Sequence, residues 1–508
     1  MPLTRRRLGA LTGATVLAGS APTVLDSAWA APAISSKKTP RYGGIAHLLR
    51  RTTYGATPAL VHEVHKRGAE AWLEDQLHPH RVRDTEMDHL LKRWPSLERN
   101  TWQTRKHLSI GAWDTMFDLI DAHIAQAIWS KRQLFEIMVD FWSNHLNVTC
   151  PSSDVWDSRH VFDREVIRKH ALGSFSEMLC ATGRSPAMLN YLGNAQSTGK
   201  APNENWGREL LELHTVGLGA KYSQKDVHNS ALILSGLSVE PDSGAFLWAP
   251  WMHYVGHVKV LGFSSPNRSA AKGEAVAMDY LRYLAHHPDT ARHLATKLAT
   301  LFVSDTPPHA LVTRLAATHR HHGTQIVPVL RELFASKEFA HAHGKKVRTP
   351  YEDFIATARV LRIRPPAHGT EGIRDLQWMT GSVGQPPMGW HAPNGYPDTA
   401  AAWSSTSATL GRWNAHISLA AQWWPTKLRY TKLATLVPKP LPKTYGHLID
   451  GLVAALNVPA LNVTQRAALT HFVGHKPSDR LVATDEAVGW RLPYLVALIL
   501  DSSRQAER

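Results

Sequence analysis

Residues 203–214 read Asn203-Glu204-Asn205-Trp206-Gly207-Arg208-Glu209-Leu210-Leu211-Glu212-Leu213-His214. Leu210, Leu213 and Val216 recur at helical spacing, Glu209 and Glu212 are i,i+3 neighbours, and Glu204 and Arg208 are i,i+4 neighbours. The spacing predicts a helix over 204–216 with an apolar face beside an acidic one. Gly217-Leu218-Gly219 supplies C-cap glycines to end it, and Ser223 caps a further helix from Gln224 to about Ser235. Carboxylates on a helix that lies partly inside a fold must be paired, protonated or bound to a ligand, because burying an unpaired charge is costly. This segment is therefore the first candidate site.

Outward from it the same 3.6-residue period dominates. Residues 45–51 and 60–77 read as an opening helical pair, with Thr57-Pro58 as the start signal of the second. Residues 110–147 read as one long helix or two, 163–182 as another divided at Gly173-Ser174, and a short helix starts at Ser185-Pro186. After residue 275 helices return in close succession and run to Leu500. Between 239 and 263 a Pro-, Gly-, Trp- and Val-rich stretch predicts an irregular loop with at most a small β-hairpin. Residues 381–398, rich in Gly and Pro, predict an ordered loop, and Pro438-Lys439-Pro440-Leu441-Pro442-Lys443 a short extended linker. No fixed-period repeat is evident. The expected fold is mainly α: one large helical domain, or two closely packed helical halves, with long ordered loops. Residues 40–430 form its main part and 444–508 a C-terminal helical portion on the same core.

The first thirty residues read as an address. Thr4-Arg5-Arg6-Arg7-Leu8 precedes a Gly/Ala/Leu-rich run, and Ala28-Trp29-Ala30 gives small residues around a cleavage point. This is the form of a twin-arginine export signal, with an ordinary secretory signal as the alternative. No later segment has the ~18 uninterrupted apolar residues needed to span a bilayer, so the expected mature protein is soluble and periplasmic or extracellular. Its formal charge is +13 once the first thirty residues, net +2, are set aside. Outside the cytoplasm such a charge points to an extracellular polymer or an anionic wall component rather than nucleic acid, unless it serves solubility alone. Oligomeric state is not legible. Two cysteines, Cys150 and Cys180, exclude a disulfide scaffold and a thiolate zinc cluster; they pair once or stay buried thiols. Thirty histidines could supply ligands, but clusters such as His319, His321 and His322 read as solvated.

Several blocks occur in order along the chain: Ala46-His47-Leu48-Leu49-Arg50-Arg51-Thr52-Thr53-Tyr54-Gly55, then Phe141-Trp142-Ser143-Asn144-His145, then the acidic helix. Tyr222-Ser223-Gln224-Lys225-Asp226-Val227 follows, and then Gln385-Pro386-Pro387 through Gly389-Trp390 to Gly395-Tyr396-Pro397-Asp398. On these blocks the chain resembles the bacterial exported proteins grouped as domain of unknown function 1800. The resemblance implies an exported, largely helical protein and no particular reaction. Many relatives carry histidine where Ser143 stands, giving a His-Asn-His arrangement with His145, and aspartate where Gly193 stands; this chain departs from both patterns.

Candidate chemistry centres on the carboxylates. Glycoside hydrolysis needs one carboxyl group as acid and one as base or nucleophile, and close like charges such as Glu209 and Glu212 push one pKa upward. His145 is a further acid or base, or a complement to a helix C-terminal dipole. The supporting set is Glu204, Arg208, His214, Asp140, Asp226, Trp142, Trp390 and Tyr396. Glu136, Asp140 and Asn144 form an i, i+4, i+8 polar stripe, and the loop aromatics Trp390 and Tyr396 suit stacking on sugar rings. In the alternative reading Arg208, Arg184 and Lys200 neutralise the glutamates as a structural network. A metal site would draw on Glu209, Glu212, His214, His145 and Asp226, but the spacing is neither Glu-x-x-His nor His-Glu-x-x-His. His62 and His65 read as solvated. Nucleophile-elbow, P-loop and dinucleotide motifs are absent. The functional expectation is an exported hydrolase acting on an extracellular polymer such as a glycan. The alternatives are a non-catalytic envelope or matrix protein, in which the acidic helix is a salt-bridge network, and a metal-dependent enzyme; no cofactor is identified.

Overall fold

A polar hinge divides the apolar run at 110–147. The computed structural model, which describes residues 41–508, places helices at Asp114–Trp129 and Gln133–His145. Asp84 Oδ2 accepts from the Ser130 hydroxyl (2.8 Å) and the Lys131 amide (2.7 Å), and the Gln133 side chain donates to the Ala127 and Ser130 carbonyls. These bonds satisfy the helix ends that the break exposes. The predicted export signal at 1–30 lies outside the described residues.

Local signals set most helix starts. Thr57 caps Pro58–Arg67, Ser223 caps Gln224–Leu234 in a reciprocal capping box with Asp226, and Ser174 caps Phe175–Gly183. The helix expected over 60–77 is in fact two, Pro58–Arg67 and Ala69–Leu77, because Gly68 takes φ +87° between them. The acidic segment differs more. It is α-helical over Glu204–Glu209, then widens into a π-helix over Leu210–His214, and does not reach Val216. The Thr215 hydroxyl donates to the Leu210 carbonyl (2.6 Å) and the Gly217 amide to that of Leu211 (2.9 Å), closing the widened turn.

The described residues contain twenty-four α-helices and two small antiparallel sheets, so the chain is mainly α. The stretch expected to hold at most one small hairpin holds two. Leu237–Val239 pairs with Phe246–Trp248, with Leu237 opposite Trp248, and Val258–Val260 pairs with Phe263–Ser265. Residues 41–508 lie within one compact unit. Near the C-terminus, Leu492–Leu500 packs on Thr406–Ala420, which in turn packs on Pro350–Val360. Cys150 and Cys180 are buried free thiols. His319, expected in water, is buried near the Phe175 ring instead. No described helix is long and apolar enough to cross a membrane.

Gly207 sets how closely the acidic helix can approach Gln224–Leu234. A Cβ there would lie 2.9 Å from the Ala231 nitrogen and 3.0 Å from the Val227 oxygen, both backbone atoms that cannot step aside. Gly207→Ala should therefore cost about 1–3 kcal/mol of stability by overpacking. Gly219→Ala, with nothing within 4 Å, is the control in denaturant unfolding.

His416 joins the C-terminal helices to the rest, 2.7 Å from Asp501 and 3.2 Å from Asp353. Burial alone would depress its pKa, but the two carboxylates outweigh burial and raise it to about 9 from 6.5. A raised histidine pKa stabilises fully below its unfolded value, and that contribution is lost as pH rises through the folded one. Unfolding midpoints should fall between pH 6.5 and about 9, and His416→Gln should remove that component of the pH profile.

Candidate functional site

The polar stripe on Gln133–His145 divides by depth. Glu136 is buried and paired with Arg168 at 3.0 Å. Asp140 and Asn144 reach a cavity of about 410 Å³ enclosed by this helix, Pro288–Phe302, Pro350–Val360 and the loop at 385–399. Asn144 holds the loop: its Nδ2 donates to the Tyr396 carbonyl (2.9 Å) and its Oδ1 accepts from the Tyr396 amide (2.6 Å). Asn147 donates to the Trp390 and Ala392 carbonyls, and the Thr149 hydroxyl to that of Trp390. Gly395, at φ +69°, passes so close to the Asn144 carbonyl that a side chain would collide with it.

Four ionisable side chains line the cavity besides the tyrosines. Glu352 is paired with Arg508 at 2.5 Å, and Asp398 with the buried Lys346 at 2.8 Å. Among the described residues Asp140 pairs only with the imidazole of His123, 3.3 Å away, and its side chain is 34% exposed. Lys297 donates to His145 Nδ1 at 3.1 Å. Lys297 lines the cavity as a half-buried residue, and burial brings its pKa down to about 8.

Tyr54, Ser143 and Tyr351 also line this cavity, each at most 3% exposed, and their buried hydroxyls have no hydrogen-bond partner among the described residues. Burial, then the charge of Asp140, holds Tyr54 and Tyr351 well above the ordinary phenol range. The same two causes raise Tyr396. Trp390 and Tyr396 stand with ring centres 5.0 Å apart. The site thus combines one lightly paired carboxylate, one buried amine, three unsatisfied hydroxyls and two aromatic faces.

Of the residues singled out from sequence, Asp140, Trp390 and Tyr396 meet here. His145 lies behind the wall, wholly buried, its Nε2 donating to the His214 carbonyl (3.1 Å), and burial followed by the charge of Lys297 keeps it neutral. It is therefore no charged complement to a helix dipole. His214 is likewise buried, with its pKa lowered to about 3. Trp142 is core: its indole donates to the Ala171 carbonyl (2.9 Å) and stacks near Phe175.

Glu209 and Glu212 do not line this cavity. Arg208 sits between Glu204 (3.7 Å) and Glu212 (3.6 Å), and Glu204 also accepts from Gln224 and approaches His228. Burial, then the charge of Glu212, raises the Glu209 pKa. Arg184, expected to help neutralise these glutamates, pairs with Glu274 instead. Asp226 accepts from the Ser223 amide and hydroxyl and from the Leu261 amide; burial alone would raise its pKa, but these bonds hold it low. Among the described residues no group of three or more His, Cys, Asp or Glu is arranged to hold a metal ion.

Tyr54, Lys297 and Tyr351 were not singled out from sequence. Lys297 did leave a signal: it stands between Leu294 and Leu301 at i+3 and i+4 spacing, a lysine on the apolar stripe of its helix.

A family model described as protein of unknown function (DUF1800) matches residues 47–504. No curated protein and no solved structure matches the chain.

The Glu204–Arg208–Glu212 network is partly exposed, and such pairs contribute little to stability. Glu212→Gln should shift stability by less than about 1 kcal/mol. Neither it nor Glu209→Gln should change ligand affinity at the Asp140 cavity, as calorimetry can measure.

Proposed function

The chain belongs to the DUF1800 family, and we propose that it is an exported hydrolase that holds a polyhydroxylated unit of an extracellular polymer, such as a glycan, in the cavity beside Asp140. The observation that carries this reading is that three residues lining one cavity, Tyr54, Ser143 and Tyr351, have buried hydroxyls without a partner among the described residues. A buried polar group without a partner costs about 1–3 kcal/mol. A ligand rich in hydroxyls offers each of them both a donor and an acceptor, and the faces of Trp390 and Tyr396 suit the apolar side of a sugar ring. Asp140, open to the cavity and lightly paired, is the group to take a proton from an attacking water. The carboxylate-centred cleft read from the sequence is thereby moved from Glu209 and Glu212 to Asp140. The paired arginines at 5–7 support export, and the net charge supports an anionic wall polymer as the carrier of the bound unit.

A second reading is a non-catalytic envelope or matrix protein. The acidic helix, whose Arg208 pairs with Glu204 and Glu212 instead of lining the cavity, favours it.

The test is a screen of the mature protein against polysaccharides and wall polymers, reading released reducing ends together with calorimetric binding. Asp140→Asn should cut turnover by about 10²-fold or more while leaving folding intact. Tyr351→Phe should weaken binding by about 1 kcal/mol. Turnover that survives Asp140→Asn would sink the role given to Asp140, whereas binding without any turnover in the wild-type protein would sink the hydrolase reading and favour the second.

A further inference from the structure

Lys297 is a cavity-lining charge with no ion pair among the described residues. It sits mid-way along Pro288–Phe302, on the stripe formed by Leu294, Leu298 and Leu301, where a lysine is costly unless it has a task. No carboxylate lies within 4 Å of its nitrogen among the described residues, and Asp398, its nearest acidic influence, is occupied by Lys346.

The carboxylates that share its cavity are Asp140, Glu352 and Asp398, of which Asp398 acts on it, and the imidazoles beside it are held neutral. These are His145 from Gln133–His145, His214 from the end of the acidic segment, and His293 from its own helix, all depressed first by burial. The hydrogen bonding also fixes a direction. His145 Nε2 faces the His214 carbonyl, which can only accept, so Nε2 carries the ring proton and Nδ1 is left as an acceptor. Lys297 therefore donates one N–H to Nδ1, 3.1 Å away. In its free-amine form that bond holds the nitrogen of this cavity-lining residue and leaves its lone pair unused.

We propose that Lys297 is a nucleophile that captures a carbonyl group, the ligand class being a hydroxylated aldehyde or ketone such as the open-chain end of a sugar. The proposal rests on the cavity being a ligand site, as argued under the proposed function. In the step, the Lys297 nitrogen bonds to the carbonyl carbon. The C–O bond then breaks, and the carbonyl oxygen leaves as water with the two amine hydrogens, giving an imine. No oxidant or reductant is needed. His145 is a positioning residue that holds the nitrogen. With its pKa lowered to about 8 by burial, Lys297 has a large share of free amine near neutral pH, whereas an ordinary lysine has very little.

The experiment treats the wild-type protein at pH 7.5 with a short pulse of glyceraldehyde and sodium cyanoborohydride, which reduces an imine to a stable amine, and maps labelled lysines by mass spectrometry. Lys297 should be labelled more than about ten-fold faster than the median lysine. Lys297→Met should lose that fast adduct and keep the slow surface labelling. Because the ranking is read within the wild-type chain, it stands even if the variant folds poorly. Labelling of Lys297 at or below the median rate overturns the proposal. If glycan units still bind, and bind more weakly in Tyr351→Phe, such a result removes the amine chemistry and leaves the cavity reading in place. If Lys297 is labelled fast but no polymer is bound or cleaved, the polymer assignment fails and the carbonyl site remains.

Discussion

The paired hydrogen bonds between Asn144 and Tyr396 are the constraint on which the cavity depends. A loop of fifteen or so residues without helix or strand must satisfy its backbone groups by other means, and here the last turn of Gln133–His145 and the residues just after it supply them. One carboxamide answers both the donor and the acceptor of a single loop residue, while Asn147 and Thr149 take up the Trp390 and Ala392 carbonyls. The loop's far end is held separately, with Lys346 donating to the Asp398 carbonyl and Asp305 accepting from the Ala400 amide. Its near end is held where the Tyr351 amide donates to Gln385. Fixed at three places, the loop forms a wall rather than collapsing into the space it borders.

That rigidity determines the electrostatics. Charges at the edge of the cavity are neutralised by partners outside it: Glu352 by Arg508 and Asp398 by Lys346. What remains inside is one acid, Asp140, and one base, Lys297, neither with a charged partner of its own beyond an imidazole. The surrounding tyrosines hold their protons tightly because burial and the nearby Asp140 charge both oppose their ionisation. The cavity therefore presents neutral donors around a carboxylate, an arrangement suited to a neutral hydroxylated molecule.

The sequence made the helices legible through local rules, and it hid the site because the site is not local. Thr57, Ser174 and Ser223 act as caps within three residues of their targets, and the Gly- and Pro-rich stretch at 381–398 is an ordered loop as its composition implies. The acidic helix stands out because its glutamates and arginine are i,i+3 and i,i+4 neighbours, the one kind of proximity that spacing reveals; Arg208 pairs with Glu204 and Glu212, while Glu209 has no ion pair among the described residues and is opposed by Glu212. The cavity gathers Tyr54, Asp140, Lys297, Tyr351 and Tyr396 from five separate elements, and no spacing rule connects them. The π-helical turn was equally invisible, because a period near 4.4 and one of 3.6 cannot be told apart over five residues.

The acidic segment still bears on the cavity, through its backbone rather than its carboxylates. Helix ends leave their last carbonyls without intrahelical partners, and the widened turn at Leu210–His214 ends with the His214 carbonyl 3.1 Å from His145 Nε2. That contact selects the His145 tautomer, and the tautomer selects which atom Lys297 meets. The glutamates and Arg208 brace the outer face of the segment, Gly207 lets it lie close against Gln224–Leu234, and its buried end fixes the orientation of an amine on the far side of a histidine. On this view the block most distinctive in sequence contributes geometry, and the chemistry lies one hydrogen bond beyond it.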